Sequence, residues 1–351
     1  MYLLAVSLAA SLLFSGETQA DRLTDHEKAI WNQLRPSVVT LYDNDRPTGA
    51  AALIDDTGYF VTHISSLNGD SISGRSATGK SVNFTVIDRD KITQLALLKT
   101  TNWTPGPARP FRLPHEEEKD GHSILAILPS GPIRAVYISK HQPGLLRSSR
   151  RLVTLTEIRF EAPSQMVGGA LIVSEHGQLI GALNATLDRS DNITNNLVGN
   201  QSGQQAQSGI QNTLSNNGGR TGQAIGPGVY LDQGPGEMTV AYTVGPEIVN
   251  HTLQGFLSPK HAAEYAALGI FCTNAIGGGA LIQRVTPGSP AQQARLQPGD
   301  ILMNINFHEI ADQVAFATVM LGQDVGKPIQ IIVKRGPRSM FVEVTPAKAI
   351  D

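Results

Sequence analysis

SQMVGGALIVSEHGQLIG, residues 164–181, reads as a tight turn around Gly168 and Gly169 feeding a buried strand, and the rest of the chain is read outward from it. Short apolar or alternating runs bounded by Gly, Asn, Asp and Ser mark strands rather than helices. Upstream, from Arg35 to Lys99, the pattern recurs in SVVTLYD, GAAALID, GYFVTHI, SVNFTVID and LALLKT, with breaks at Asp56-Thr57-Gly58 and Asn68-Gly69. A second series follows in HSILAIL, IRAVYISK, RLVTLTEIRF, ALIVSEHGQLIGALNAT and MTVAYTV. Many short strands at this spacing predict an all-β barrel or sandwich, and two sets in one unit predict a double barrel.

Before the last of these runs, about Ser190 to Gly236, the chain is dense in Asn, Gln, Gly and Ser, and Arg220 is the one charge between Asn192 and Leu231. Such a segment buries too little apolar surface to offset its ordering entropy, which predicts a disordered or loosely ordered insertion. Beyond it, PEIVNHTLQGFL spaces Ile248, Val249, Leu253 and Phe256 as one face of a helix. SPKHAAEYAA then leads into a compact C-terminal unit of strands, a short helix at Pro290 to Ala294, more strands, a longer helix and a closing strand pair.

With 351 residues, 40% of them hydrophobic and 5% aromatic, the chain is long enough for two or three domains with aliphatic cores. A formal net charge of -2 provides no basic field, so nucleic acid is not expected among its partners. MYLLAVSLAASLLFSGETQA places an apolar run, Met1 to Phe14, ahead of small and polar residues, the pattern of an export signal cleaved after Ala20. That run is shorter than the roughly 20 residues of a spanning helix, so no integral membrane span is expected. The single cysteine, Cys272, allows no intrachain disulfide and reads as a small core residue in an apolar strand. Nine histidines without HExxH or His-x-His pairing give no metal-ligand spacing, and no metal or other cofactor is expected.

GALIQRVTPGSPAQQARLQPGDILMNIN (279–306), together with GYFVT (58–62), LALLK (95–99) and GGALIVSEHGQLIG (168–181), resembles the HtrA (DegP-like) family of exported trypsin-fold serine proteases. The resemblance runs from about Asp25 to Ala347, apart from the insertion. It implies a mainly β chain: a trypsin-like double β-barrel followed by one PDZ domain, itself a sandwich or partly open barrel with two helices. The implied division is a signal peptide at 1–20, a protease-type domain at 21–250 with the insertion at about 190–236, a linker at 251–262 and the PDZ domain at 263–351.

In that family a histidine follows GY and a run ending in Thr, and alignment on Gly58, Tyr59 and Thr62 puts Ser65 in its place. A serine hydroxyl cannot accept a proton near neutrality. The family's aspartate before LALLK falls on Gln94, which carries no charge, and its nucleophilic serine falls on Val167. Gln165 replaces the glycine that shapes the oxyanion turn. These substitutions predict a catalytically inactive homologue with no catalytic residues. The expected role is then a peptide- or protein-binding adaptor, scaffold or holdase in envelope protein quality control or assembly. Two alternatives stand beside it: a residual or rearranged serine endopeptidase using His63 with Ser65 or Ser164, and a structural module binding through the barrel and the insertion. Against the first, residues two apart in an extended strand stand roughly 6.5 to 7 Å apart, too far for His63 simply to take over the vacated position.

The PDZ resemblance implies that Leu268, Gly269 and Ile270 form the loop capping a peptide's terminal carboxylate, with Met320 on the later helix lining the pocket. Implied partners are C-terminal or unfolded peptide segments of envelope proteins. The family likeness also implies a homotrimer, or a mixed oligomer with an active paralogue, with Trp31 and Tyr42 as contact aromatics. The implied location is the bacterial periplasm.

Overall fold

The computed structural model describes residues 23–349 except 101, 104–106, 115–118, 147–150, 161–168, 184–186, 190–231 and 234–238. Helix α1 (Asp25–Leu34) opens on a capping box: Glu27 N–H donates to Thr24 Oγ1 at 3.3 Å and Thr24 N–H donates to the Glu27 carboxylate at 2.6 Å. The same carboxylate accepts two bonds of 2.8 Å from Arg134 and one from the Ser123 hydroxyl, which latches α1 to the second sheet.

Strands β1 (Val38–Asp43), β2 (Arg46–Leu53), β3 (Tyr59–His63), β4 (Ser71–Ser76), β5 (Ser81–Arg89) and β6 (Leu95–Lys99) close into a barrel in the order β1-β2-β3-β6-β5-β4. Its interior is filled by Val39, Leu41, Leu53, Phe60, Phe84 and Leu98, all buried. The alternation along β5 puts Val82 and Phe84 inward and leaves Ser81, Asn83 and Thr85 in solvent.

The second set comprises β7 (Ser123–Leu128), β8 (Gly131–Leu146), β9 (Arg151–Phe160), β10 (Leu171–Val173), β11 (Leu179–Ala182), β12 (Leu187–Arg189), β13 (Asp232–Gln233) and β14 (Thr239–Val244). It is an eight-stranded sheet ordered β11-β10-β7-β8-β9-β14-β13, with β12 on β8; among the described residues its pairings do not close. β13 lies inside the stretch, about 190–236, expected to be a disordered or loosely ordered insertion; the rest of that stretch falls outside the described residues, as does the expected signal segment 1–20. Helix α2 (Pro246–Leu257), with Pro246 in its first turn, lays Ile248, Val249, Leu253 and Phe256 into the core shared with Val61, Leu97, Leu171 and Val173, so the linker expected at 251–262 starts only after Leu257.

The C-terminal unit contains β15 (Ala266–Ala267), β16 (Ile270–Asn274), β17 (Ala280–Val285), α3 (Pro290–Gln293), β18 (Ile301–Ile305), β19 (His308–Glu309), α4 (Gln313–Leu321), β20 (Ile329–Arg335), β21 (Arg338–Val344) and β22 (Ala347–Lys348). Its main sheet is ordered β16-β17-β18-β20-β21, with β19 on β18, while β15 pairs with β22. Asp312 starts α4 by accepting from Val314 and Ala315 N–H at 2.8 Å each. QVAFATVML carries apolar residues on opposite sides because it is packed from two directions. Phe316, Val319 and Met320 pack on the core of this unit, while Leu321 joins the barrel core and the Thr318 hydroxyl accepts from Thr154 N–H of β9 at 2.8 Å.

Candidate functional site

β3 ends at His63, paired with Leu95 of β6. The chain then makes one 3-10 turn, Ile64–Ser66, anchored where Ile64 N–H donates to the Gln94 carbonyl at 2.8 Å. The turn folds Ser65 back over the ring: Ser65 Oγ is 2.7 Å from His63 Nδ1, and Ser65 N–H donates to the same nitrogen at 3.1 Å. An N–H can donate only to a bare nitrogen, so the neutral ring carries its proton on Nε2 and the Ser65 hydroxyl donates to Nδ1. The strand spacing expected from the sequence fails here because a 3-10 turn rises about 2 Å per residue against about 3.3 Å in a strand.

The two partners sit in opposite environments. His63 is 1% exposed, and burial pushes its pKa down to about 4, so the ring is neutral at neutral pH. Ser65 is exposed. His63 Nε2 is buried with no hydrogen-bond partner among the described residues. Gly169, at φ +74°, is the first described residue before β10, and a β-carbon there would stand 2.8 Å from Ser65 Oγ and 3.1 Å from His63 Nδ1. The lead-in to β10 therefore lies directly against the serine and histidine. Ser164, Gln165 and Val167 lie outside the described residues.

Gln94 is buried at φ +60°, a backbone region that costs a non-glycine residue about 1–2 kcal/mol. Its side-chain amide donates to the Lys91 carbonyl at 2.8 Å while its own carbonyl holds the Ile64–Ser66 turn. The loop is pinned by Asp90, whose buried carboxylate accepts from Thr93 N–H and Thr93 Oγ1 at 2.6 Å each, and which also bonds the Tyr265 side chain. Burial raises the Asp90 pKa despite these bonds. Sequence reasoning missed Asp90; its signal was the Asp-x-x-Thr spacing of an Asx-type turn in DKIT.

In the C-terminal unit, Leu268 is buried and Gly269 sits at φ +75°, with their carbonyls accepting from Ala291 N–H at 3.0 Å and Thr286 N–H at 2.8 Å. A β-carbon on Gly269 would meet Ser289 Cβ at 2.3 Å, so only glycine fits. Ile270, half-buried, starts β16, which ends its sheet among the described residues. Met320, expected to line a pocket, is 5% exposed and packs into the core of the unit. Cys272 is buried, and burial pushes its thiol up to about 12, which leaves it unreactive. Trp31 packs half-buried against the barrel core, and Tyr42 lies under Arg75 at 5.0 Å. Among the described residues no helix is long and apolar enough to cross a membrane.

Comparison with known proteins adds three findings. The PDZ domain family model matches residues 266–345. A curated relative, the mitochondrial serine protease HTRA2 of Drosophila virilis, is 37% identical over 73 residues, 21% of this chain and 17% of that protein. The chain thus matches about a sixth of that relative's length. Two solved structures match along most of the chain: the HtrA-type protease AlgW with decapeptide (TM-score 0.56, 14% identity, 93% of this chain and 100% of that one) and a serine endoprotease from Yersinia pestis (TM-score 0.51, 16% identity, 93% and 99%). The fold is accordingly mainly β and HtrA-like, with a closed six-stranded barrel, few helices and a C-terminal PDZ domain.

These findings correct one expectation. The substitutions at Ser65, Gln94 and Val167 predicted a chain without enzymatic activity, yet the three matched proteins described above are named proteases, two of them serine proteases. The physical reason the sequence misled is local. Ser65 was read only as a replacement for the family's histidine, and the 3-10 turn makes it the hydrogen-bond partner of the His63 imidazole.

Proposed function

We propose that this chain is an HtrA-like, peptide-handling protein with a rearranged serine endopeptidase site, Ser65 being the nucleophile and His63 its base. The observation that carries this reading is an exposed hydroxyl 2.7 Å from the bare nitrogen of a buried, neutral imidazole, with the Gly169 turn against both. In the reaction Ser65 Oγ attacks a peptide carbonyl while its proton passes to His63 Nδ1, and the imidazolium returns a proton to the leaving amine. A base whose pKa is lowered to about 4 drives proton transfer weakly, so turnover is slow.

The PDZ match at 266–345 supports a peptide-capture role for Leu268, Gly269 and Ile270, with Met320 shaping the pocket from behind. The substrates and ligands in this reading are unfolded or C-terminal segments of envelope proteins met after export, and trimers are its assembly. Residues 21–250 are the peptidase unit and 263–351 the capture unit.

The test is covalent labelling of the purified chain with a fluorophosphonate probe, followed by peptide mapping. Modification at Ser65, lost in Ser65→Ala and reduced in His63→Ala, is the expected result. Labelling no greater than in a heat-killed control would sink the reading.

A further inference from the structure

A polar cavity of about 260 Å³ lies between α2 and the turn after α4, lined among others by Glu247, Gln254, His251, His308 and Asp324. One ring in it has a fixed tautomer. His251 Nε2 is 2.8 Å from the Glu264 carbonyl, which can only accept, so Nε2 carries the hydrogen. The other nitrogen, Nδ1, is then bare in the neutral ring, and it faces Asp324 Oδ1 at 3.8 Å. Two acceptors confront each other with no hydrogen between them. They also belong to different units: α2 is seated in the barrel core through Ile248, Val249, Leu253 and Phe256, whereas Asp324 follows α4 in the PDZ domain.

We propose that His251 and Asp324 form an acid-strengthened latch between the barrels and the PDZ domain, closed by a proton at Nδ1 that turns two facing acceptors into a charged donor and its partner. Several charged groups surround the ring. Asp324 has one oxygen, Oδ2, on Lys327 at 2.6 Å and the other toward His251. Glu247, one turn earlier on α2, lines the same cavity and adds negative charge; His308, from β19, adds positive charge only when it too is protonated. The Glu264 carboxylate is occupied by Lys260 at 2.8 Å and Lys348 at 3.1 Å, and the Tyr265 ring lies 5.5 Å from the His251 ring. Among the described residues no three His, Cys, Asp or Glu side chains gather as metal ligands. The charged ring finds Asp324 only when the units are docked. Docking is therefore strengthened at the acid end of the histidine range, about pH 5, and the gain is lost as pH rises toward about 8.

The experiment is hydrogen exchange of the linker amides 258–264 in the full chain at about pH 5 and about pH 8, corrected for intrinsic exchange rates. Wild type should be protected about two- to five-fold more at the acid pH, and Asp324→Asn, a change in a half-exposed turn, should remove that difference. His251→Gln should do the same, and comparison with these variants cancels the general effect of acid on the barrel. Equal protection at both pH values in wild type, or an undiminished difference in Asp324→Asn, overturns the latch. Repeating the measurement with chelator and with added zinc closes the remaining gap: protection that depends on zinc overturns the proton in favour of a metal ion. None of these readouts involves Ser65, so the outcome is independent of the peptidase reading.

Discussion

Gly169 and Gly269 hold nearly the same backbone angle, φ +74° and +75°, one beside the barrel site and the other in the loop before β16. What lies over them differs. Above Gly169 are the polar tips of two side chains, Ser65 Oγ and His63 Nδ1, whereas above Gly269 is Ser289 Cβ, held in place because Ser289 caps α3 by accepting from Gln292 N–H at 3.3 Å. A site made of side chains can be rewired by single substitutions while its strands persist. A site made of backbone is written into glycine, turn and register, and changes only at the expense of the fold. The PDZ family model matches residues 266–345, the stretch that holds Gly269 and its backbone turn.

The sharpest way to break this contrast is Gly269→Ala. The positive φ and the Ser289 contact together should cost about 2–4 kcal/mol, measured by urea unfolding of the full chain; a cost below about 1 kcal/mol would mean the loop yields as easily as the barrel site. Next comes pH. Unfolded His63 takes up its proton at the ordinary value of 6.5 and folded His63 only at about 4, so the folded state loses ground as acid is added across that window and no further below it. Wild type should lose about 2–3 kcal/mol more than His63→Gln between those two pH values. Gly169→Ala should cost about 1–2 kcal/mol, less than its counterpart because the hydroxyl above it can rotate away, and it should lower probe labelling of Ser65 by displacing Oγ from Nδ1. Thr318→Val, which strands Thr154 N–H at the contact between α4 and β9, should cost about 1 kcal/mol by thermal unfolding.

The sequence was most readable where local pattern is enough. PEIVNHTLQGFL is α2 from its first residue to its last, and the short helix expected at Pro290 to Ala294 appears as α3 with Ala294 as its C-cap. The five strand runs read in the first barrel are β1, β2, β3, β5 and β6, whereas β4, SISGRS, has too little apolar alternation to stand out. What stayed hidden depends on partners distant in sequence. GYFVTHI gives no hint of the 3-10 turn after His63, because that turn is held by the Gln94 carbonyl. Neither Asp90 with Tyr265 nor His251 with Asp324 could be found by spacing, since each pairing joins the barrel half of the chain to its C-terminal unit. The closure expected of the second barrel is likewise a matter of which edges meet, and its described strands form an open sheet.

Helix α4 carries one more consequence, for anyone who would take the molecule apart. A cut in the linker between residues 257 and 266 separates two units that look autonomous in the sequence. It would also strip Leu321 of the barrel neighbours it packs against and uncover the largely apolar side of α4 that faces the barrels. The excised PDZ fragment should therefore self-associate, and a surface-charged substitution at Leu321 should restore a monomer.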